Sequence, residues 1–237
     1  VGLATAAVGQ DMTIRFGTEA GYKPFMYKDA DGGLVGFDYE IGEAICAELN
    51  ATCEWIEQDW DGIIPGLLAK KYDAILASMS DTEERRRVVD FTEKYYQVPV
   101  RFVGREDAGF TDVDSLAGKT VGVQRGNTPG KFLRDNHPDV IVKDYPTIDE
   151  IWLDLASGRI DASMGTTLLI LAGFINTDKG EGFVMFGPDY TDPAYFGVTS
   201  IALPQEDTDP PDDIRCPYPT IRASGRSIEI YSLFCSR

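Results

Sequence analysis

Two stretches decide the fold: "LLAKKYDAILASMS", residues 67–80, and "DLASGRIDASMGTT", residues 154–167. Each runs from helix-forming leucines to a basic residue, then one more residue, Asp-Ala, an apolar strand and a short polar end. A helix feeding a buried strand is half of a βαβ unit, and meeting it twice implies two lobes of similar build. Ligands of open α/β sheets sit beyond the carboxyl ends of the strands. The two polar ends, 77–80 and 163–167, are therefore expected to face one shared cleft.

Working outward, strands alternate with helices along most of the chain. "MTIRFGTE" and "CEWIEQ" read as strands, residues 38–49 and "WDGIIPGLLAKKY" as amphipathic helices, and "YKDADGGLVGFD" as a hairpin around an Asp/Gly turn. "ASMSDTEERRRVVDF", residues 77–91, reads as a strand end followed by an arginine-rich helix capped by Asp81 or Thr82. Beyond it come a strand in "QVPVRFVGRE", then strand–loop–helix in "VGVQRGNTPGKF", strand–helix–strand over "IVKDYPTIDEIWLDLASGRIDASMG", a helix in "TTLLILAGFIN" and a late strand in "FGVTSIAL". The class is α/β with largely parallel sheets.

Composition narrows the function. The 237 residues carry 39 acidic and 22 basic side chains, a net charge of −17 and a pI near 4.4. So acidic a chain lacks the basic face that nucleic acid needs. The excess reads first as solubility or adaptation to salt, second as steering of small cations. No apolar run approaches the roughly 20 residues that span a bilayer. "VGLATAAVGQD" reads either as the remnant of a secretory signal around Ala4-Thr5-Ala6 or as a disordered start, so residues 1–10 are expected to add nothing to the core. Cys46 and Cys53, with six residues between them across a helix end and the next strand, fall within disulfide reach, and an exported chain would oxidise them. Cys216 and Cys235 stay open between a pair, free thiols and an unusual tail. No zinc spacing, phosphate loop or catalytic triad order is present, the single His137 sits in a turn, and no cofactor is expected.

In combination, "GTEAGYKPFMYKDADGGLVGFDYEIGEAIC", "WDGIIPGLLAKKYDAILASMSDTEERR", "LAGKTVGVQRGNT" and "LASGRIDA" resemble the periplasmic solute-binding proteins that feed polar amino acids and opines to ABC transporters. The resemblance runs from about Thr13 to Asp207. It implies the two-lobe periplasmic binding protein fold of type II, with two crossover strands between the lobes. Lobe one would be 11–97 plus 196–237, and lobe two 98–195. It implies a monomer that closes on a small ligand in the periplasm and docks on the permease subunits of a transporter. The Cys46/Cys53 spacing matches the disulfide of the histidine and lysine/arginine/ornithine binders.

The resemblance also assigns roles. Arg85 would hold the ligand α-carboxylate in a bidentate fork, beside the strand-end segment Ala77-Ser78-Met79-Ser80. Gln124 and the Asn127–Thr128 loop would close from lobe two, the helix starting at Thr128 with Pro129 at its first position. Glu19 would meet a cationic side chain, and Tyr22 would stack on its carbon chain. Trp60 reads equally as an aromatic wall or as core. Arg86 and Arg87 match nothing in the motif and read as solvated charges near Asp90 and Glu83. Two departures matter. Relatives that take free amino acids usually carry an Asp where Thr166 stands, to accept the α-ammonium, and often a Ser where Ala77 stands. Both changes point to a cationic or opine-like ligand with a substituted or absent α-amine. In the tail, Pro217 and Pro219 fall where relatives have a helix. The same scaffold also carries cyclohexadienyl dehydratases, so an arogenate dehydratase-like enzyme is the alternative to a binding protein.

Overall fold

The computed structural model describes residues 12–205 and the backbone of 220–223 and 226–229. The strands are β1 (Met12–Thr18), β2 (Tyr27–Lys28), β3 (Leu34–Val35), β4 (Ala51–Glu57), β5 (Ala74–Ile75), β6 (Val89–Phe91), β7 (Val100–Arg105), β8 (Thr120–Gln124), β9 (Ile141–Tyr145), β10 (Ala162–Thr166), β11 (Phe183–Tyr190), β12 (Ala202–Pro204), β13 (Thr220–Ala223) and β14 (Arg226–Glu229). The helices are α1 (Phe37–Glu48), α2 (Trp60–Leu68), α3 (Thr128–Asn136), α4 (Ile148–Ala156) and α5 (Thr167–Ile170).

Two five-stranded sheets share one plan. The first runs β4-β1-β5-β12-β6, with β1 parallel to β4 and β5, and β12 antiparallel to its neighbours. The second, read β9-β8-β10-β7-β11, has β8 parallel to β9 and β10, and β7 antiparallel to its neighbours. The echoed stretches are therefore equivalent: β5 and β10 are the third strands of the two sheets, each fed by a helix. This is the expected two-lobe α/β fold. The chain passes between sheets twice, from β6 to β7 and from β11 to β12, and the passages pair where Tyr96 and Thr199 form an antiparallel bridge. Each lobe buries its sheet under helices. Ile14, Phe16 and Leu76 pack against Ile45 of α1, and Val103 packs with Ile151, Trp152 and Leu155 of α4. Gly17 and Gly66 leave room for the buried Tyr72 ring; a Cβ would come within 2.4 Å of it at Gly17 and 2.2 Å at Gly66. That close approach seats α2, and Trp60 at its start, on the sheet.

Several expectations need correction. The arginine stretch is a single 3-10 turn, Arg85–Arg87, because Val88 and Val89 lead at once into β6 and too few residues remain to repay helix nucleation. Glu84 rather than Asp81 or Thr82 is the N-cap residue of this turn, although Thr82 Oγ1 accepts from the Arg85 N–H at 3.3 Å. The tail, where relatives have a helix and Pro217 and Pro219 left the conformation open, contains β13 paired antiparallel to β14. β11 escaped the reading because its Gly187-Pro188 speaks against a strand; the pairing register breaks there, between Phe186 and Tyr190, on an edge strand that tolerates it. The helix over 167–175 is α5 followed by a π turn, Leu171–Ile175. Residues 1–11, Cys216, Cys235, Pro217 and Pro219 lie outside the described residues. Among the described residues no helix is long and apolar enough to cross a membrane.

Cys46 near the end of α1 and Cys53 in β4 form a disulfide, with Cα atoms 5.8 Å apart and a sequence separation of 7. Closing so short a loop restrains the unfolded chain by roughly 2–3 kcal/mol. Replacing both cysteines by serine should lower unfolding free energy by that amount in denaturant titrations; unchanged stability would show that the bridge contributes nothing.

Candidate functional site

The site begins at the strand end after β5. Alternation sends neighbouring side chains to opposite faces. Ala77 and Met79 point into the core of the first lobe, at 8% and 0% exposure, so neither lines the cleft as expected. Ser78 and Ser80 face the cleft instead. Arg85 follows, part-buried between the lobes. Its Nη1 donates to the Ser80 carbonyl at 2.8 Å, its Nη2 reaches the Gly126 carbonyl of the second lobe at 3.5 Å, and its guanidinium lies 5.3 Å above the Trp60 ring. Burial lowers its pKa to about 10. Among the described residues no carboxylate forms an ion pair with it.

The second lobe answers with the carboxyl ends of β8 and β10. Gln124 ends β8, and Gly126, at φ +74°, turns the chain into α3. Asn127, not Thr128, is the N-cap, accepting from the Gly130 N–H at 3.1 Å; Thr128 is the first helical residue and Pro129 the second. Thr166 ends β10 with Oγ1 3.3 Å from Tyr22 Oη. Between the lobes lies a cavity of about 680 Å³, open mouth included, lined by nine of the expected residues: Tyr22, Trp60, Ser78, Ser80, Arg85, Gln124, Asn127, Thr128 and Thr166. Val98, Val100, Ile148, Met164, Leu169 and Phe196 supply an apolar wall. They escaped the sequence reading because apolar residues near strand ends and in connectors look like any other core. Among the described residues Arg85 is the one charged residue in the lining.

Glu19 lies beside this cavity rather than on its wall. Gln124 Nε2 donates to its Oε1 at 2.7 Å. Its carboxylate borders a second recess of about 790 Å³, shared with Glu57, Asp59 and Asp149. Burial, opposed by the Gln124 and Trp60 hydrogen bonds, raises the Glu19 pKa to about 7. The Arg125–Asp61 ion pair at 3.0 Å and Lys131–Glu84 at 3.7 Å also span the lobes, so the cleft is closed over the cavity. The sequence reading also passed over Asp38, fully buried at the start of α1, which accepts from Ser78 Oγ at 2.8 Å and Tyr95 Oη at 3.0 Å. The sequence offers little signal for it, because its partners lie 40 and 57 residues further along the chain.

Comparison with known proteins agrees with this geometry. The family profile described as bacterial extracellular solute-binding proteins, family 3, matches residues 14–209. The chain is 40% identical to the L-arginine-binding protein of Pseudomonas aeruginosa, over 99% of this chain and 92% of that one. It is 36% identical to the lysine/arginine/ornithine-binding periplasmic protein of Escherichia coli, over 88% of this chain and 83% of that one. An ancestral arginine-binding protein bound to arginine superposes with a TM-score of 0.76 at 33% identity, covering 82% of this chain and 85% of that one.

Arg86 is more than a solvated charge. Its Nε donates to Asp81 Oδ1 at 2.6 Å and its Nη2 to Oδ2, and the Asp81 side chain is only 7% exposed. Arg86→Ala leaves that carboxylate without its cation and should cost about 1–2 kcal/mol of stability, the exposed guanidinium tempering the loss. Denaturant midpoints of Arg86→Ala and Arg87→Ala decide it: equal values would show that the pair contributes nothing.

Glu19 generates a pH dependence. Its folded pKa of about 7 lies above the ordinary 4.5, so its contribution favours the fold fully below 4.5 and is lost as pH rises through 7. Melting temperature should fall from pH 5 to pH 7 more steeply in wild type than in Glu19→Gln. Identical slopes would count against the raised pKa.

Proposed function

The chain belongs to the bacterial extracellular solute-binding proteins, family 3, and we propose that it binds a free cationic L-amino acid, arginine foremost, in the periplasm for an ABC importer. The observation that carries this reading is the Arg85 guanidinium, set in a closed cleft without a carboxylate partner among the described residues. A desolvated cation of this kind is complete only when an anion arrives, and a bidentate carboxylate fits its fork. The N-terminus of α3, with Asn127 and Thr128 at the cavity, offers the same anion the Thr128 N–H, since Pro129 has none and those of Asn127 and Gly130 are already bonded. Tyr22 and Trp60 flank the body of the ligand. Glu19, with the acidic recess behind it, takes the side-chain cation, which displaces the Gln124 amide. The names of the matched relatives support arginine or its close analogues.

We place lobe one at 11–97 plus 196–237 and lobe two at 98–195. Ligand docks on the first and is covered by the second, and the monomer presents its closed surface to the permease subunits. Thr166 favours a second reading, an opine-like ligand with a substituted α-amine, since among the described residues no carboxylate lines the cavity to accept an ammonium. The dehydratase alternative is weaker: among the described residues no Asp, Glu or His lines the cavity as a proton donor, and the relatives named above are binding proteins. Incubation with arogenate should yield no product.

Calorimetric titration of wild type should show tight arginine binding with octopine, an N-substituted arginine, excluded. Arg85→Ala should lose arginine binding while remaining folded. Tight octopine binding would favour the opine reading, and a folded Arg85→Ala protein with wild-type affinity would remove Arg85 from the site.

A further inference from the structure

We propose that Asp38, acting through Ser78, supplies the negative charge that receives the ligand's α-ammonium group, in place of a carboxylate at position 166. The proposal rests on the amino-acid reading above and explains how a cavity without an acid on its wall accepts a zwitterion.

Asp38 is completely buried, and every group the structure sets against its carboxylate is a neutral donor. Ser78 Oγ donates to Oδ2 at 2.8 Å, Tyr95 Oη donates to Oδ1 at 3.0 Å, and the Ser78 backbone N–H adds a third bond. Donors of this kind favour the ionised form. Burial opposes them and raises the pKa to about 6. Among the described residues no lysine or arginine pairs with this carboxylate. The first lobe therefore sets two charges of opposite sign at the cleft, Arg85 and Asp38, and among the described residues neither has an ion-pair partner. A ligand carrying a carboxylate and an ammonium on one carbon satisfies both.

Ser78 is the link between Asp38 and the cavity. It lines the cavity while its hydroxyl and N–H are both turned to Asp38, an arrangement obtained with φ +54°, a left-handed conformation uncommon for serine. Gly36 prepares it: its φ is +123°, and a Cβ there would stand 2.4 Å from the Phe25 carbonyl, so glycine alone permits the bend that starts α1 and buries Asp38. A hydroxyl has one proton and two acceptor sites. With the proton committed to Asp38, Ser78 Oγ meets the ligand as an acceptor polarised by the carboxylate behind it. The Tyr96 phenol also reaches Ser78 and occupies at most one of those acceptor sites. Ser78 and Ser80 project from the same side of the strand end, and Ser80 gives its carbonyl to Arg85. The ammonium and carboxylate positions are thus neighbours. The other candidates are accounted for: Thr166 is uncharged and within hydrogen-bond distance of Tyr22, and Glu19 opens on the second recess under Gln124.

The test compares arginine with 5-guanidinopentanoate, which keeps the carboxylate and guanidinium but lacks the α-ammonium. Wild type should prefer arginine. Asp38→Asn and Ser78→Ala should each lower arginine affinity by about 10- to 100-fold and change affinity for the desamino analogue by less than about twofold, the resolution such a titration needs. Ser78→Ala leaves Asp38 and its tyrosine bond in place and serves if Asp38→Asn does not fold. A merely structural role would weaken both ligands by one factor and leave their ratio unmoved, and that result overturns the proposal alone. Wild type that binds both ligands equally also overturns it. Wild type that binds neither overturns the arginine reading, and this proposal with it.

Discussion

Arg85 donates to the Ser80 carbonyl and lies over the Trp60 ring, and its position between the lobes lowers its pKa to about 10. A guanidinium withdrawn from water without a carboxylate is an unfinished electrostatic arrangement. The rest of the cleft is organised around that charge. Ser80 has to end its strand at the right height, Trp60 has to begin α2 beside it, and Gly126 has to bring the second lobe's carbonyl and the α3 N-terminus to its far side. Each depends on packing elsewhere, such as Tyr72 wedged between Gly17 and Gly66.

The doubled sheet plan explains why the cavity lies where it does. In each sheet the third strand, β5 or β10, ends at the cleft, so the polar residues after it face each other across one gap. The passages between the sheets meet at the same place. Thr199 bridges both Ser80 and Tyr96 and itself lines the cavity, so site and connectors share one short stretch of backbone. Movement of one lobe against the other must act on that stretch, giving ligand contact and lobe closure a common physical element.

The charges divide by distance from the cavity. Arg85 is on the wall; Asp38 stands behind Ser78; Glu19 stands beside Gln124 at the edge of an acidic recess. Burial raises both carboxylate pKa values, to about 6 and about 7. Acidic groups set back from the wall would attract the cationic ligand proposed above, while Arg85 is the one charge among the described residues of the wall.

The two-lobe α/β class, the hairpin at 27–35, the Cys46–Cys53 pair and nine cavity residues were legible in the chain alone. The class, the hairpin and the reach of the cysteine pair rest on local information, hydrophobic period and turn residues, whereas the nine cavity residues were legible only through the resemblance to solute-binding proteins. What local information misjudged was decided by distant neighbours. Ala77 and Met79 belong to the core because alternation at a strand end is resolved by which face the second lobe covers. The arginines form one turn because β6 draws the chain away. Arg86 is tied to Asp81, whose burial no window of sequence reveals. Asp38 and Ser78 are 40 residues apart in the chain, and their hydrogen bond exists only because α1 and the strand end pack together. The sequence by itself determined which residues could carry charge into the cleft. Only the tertiary structure decided which charges face the cavity, which stand behind a hydroxyl or an amide, and which are neutralised, because burial and counter-ion distance are properties of packing, not of order along the chain.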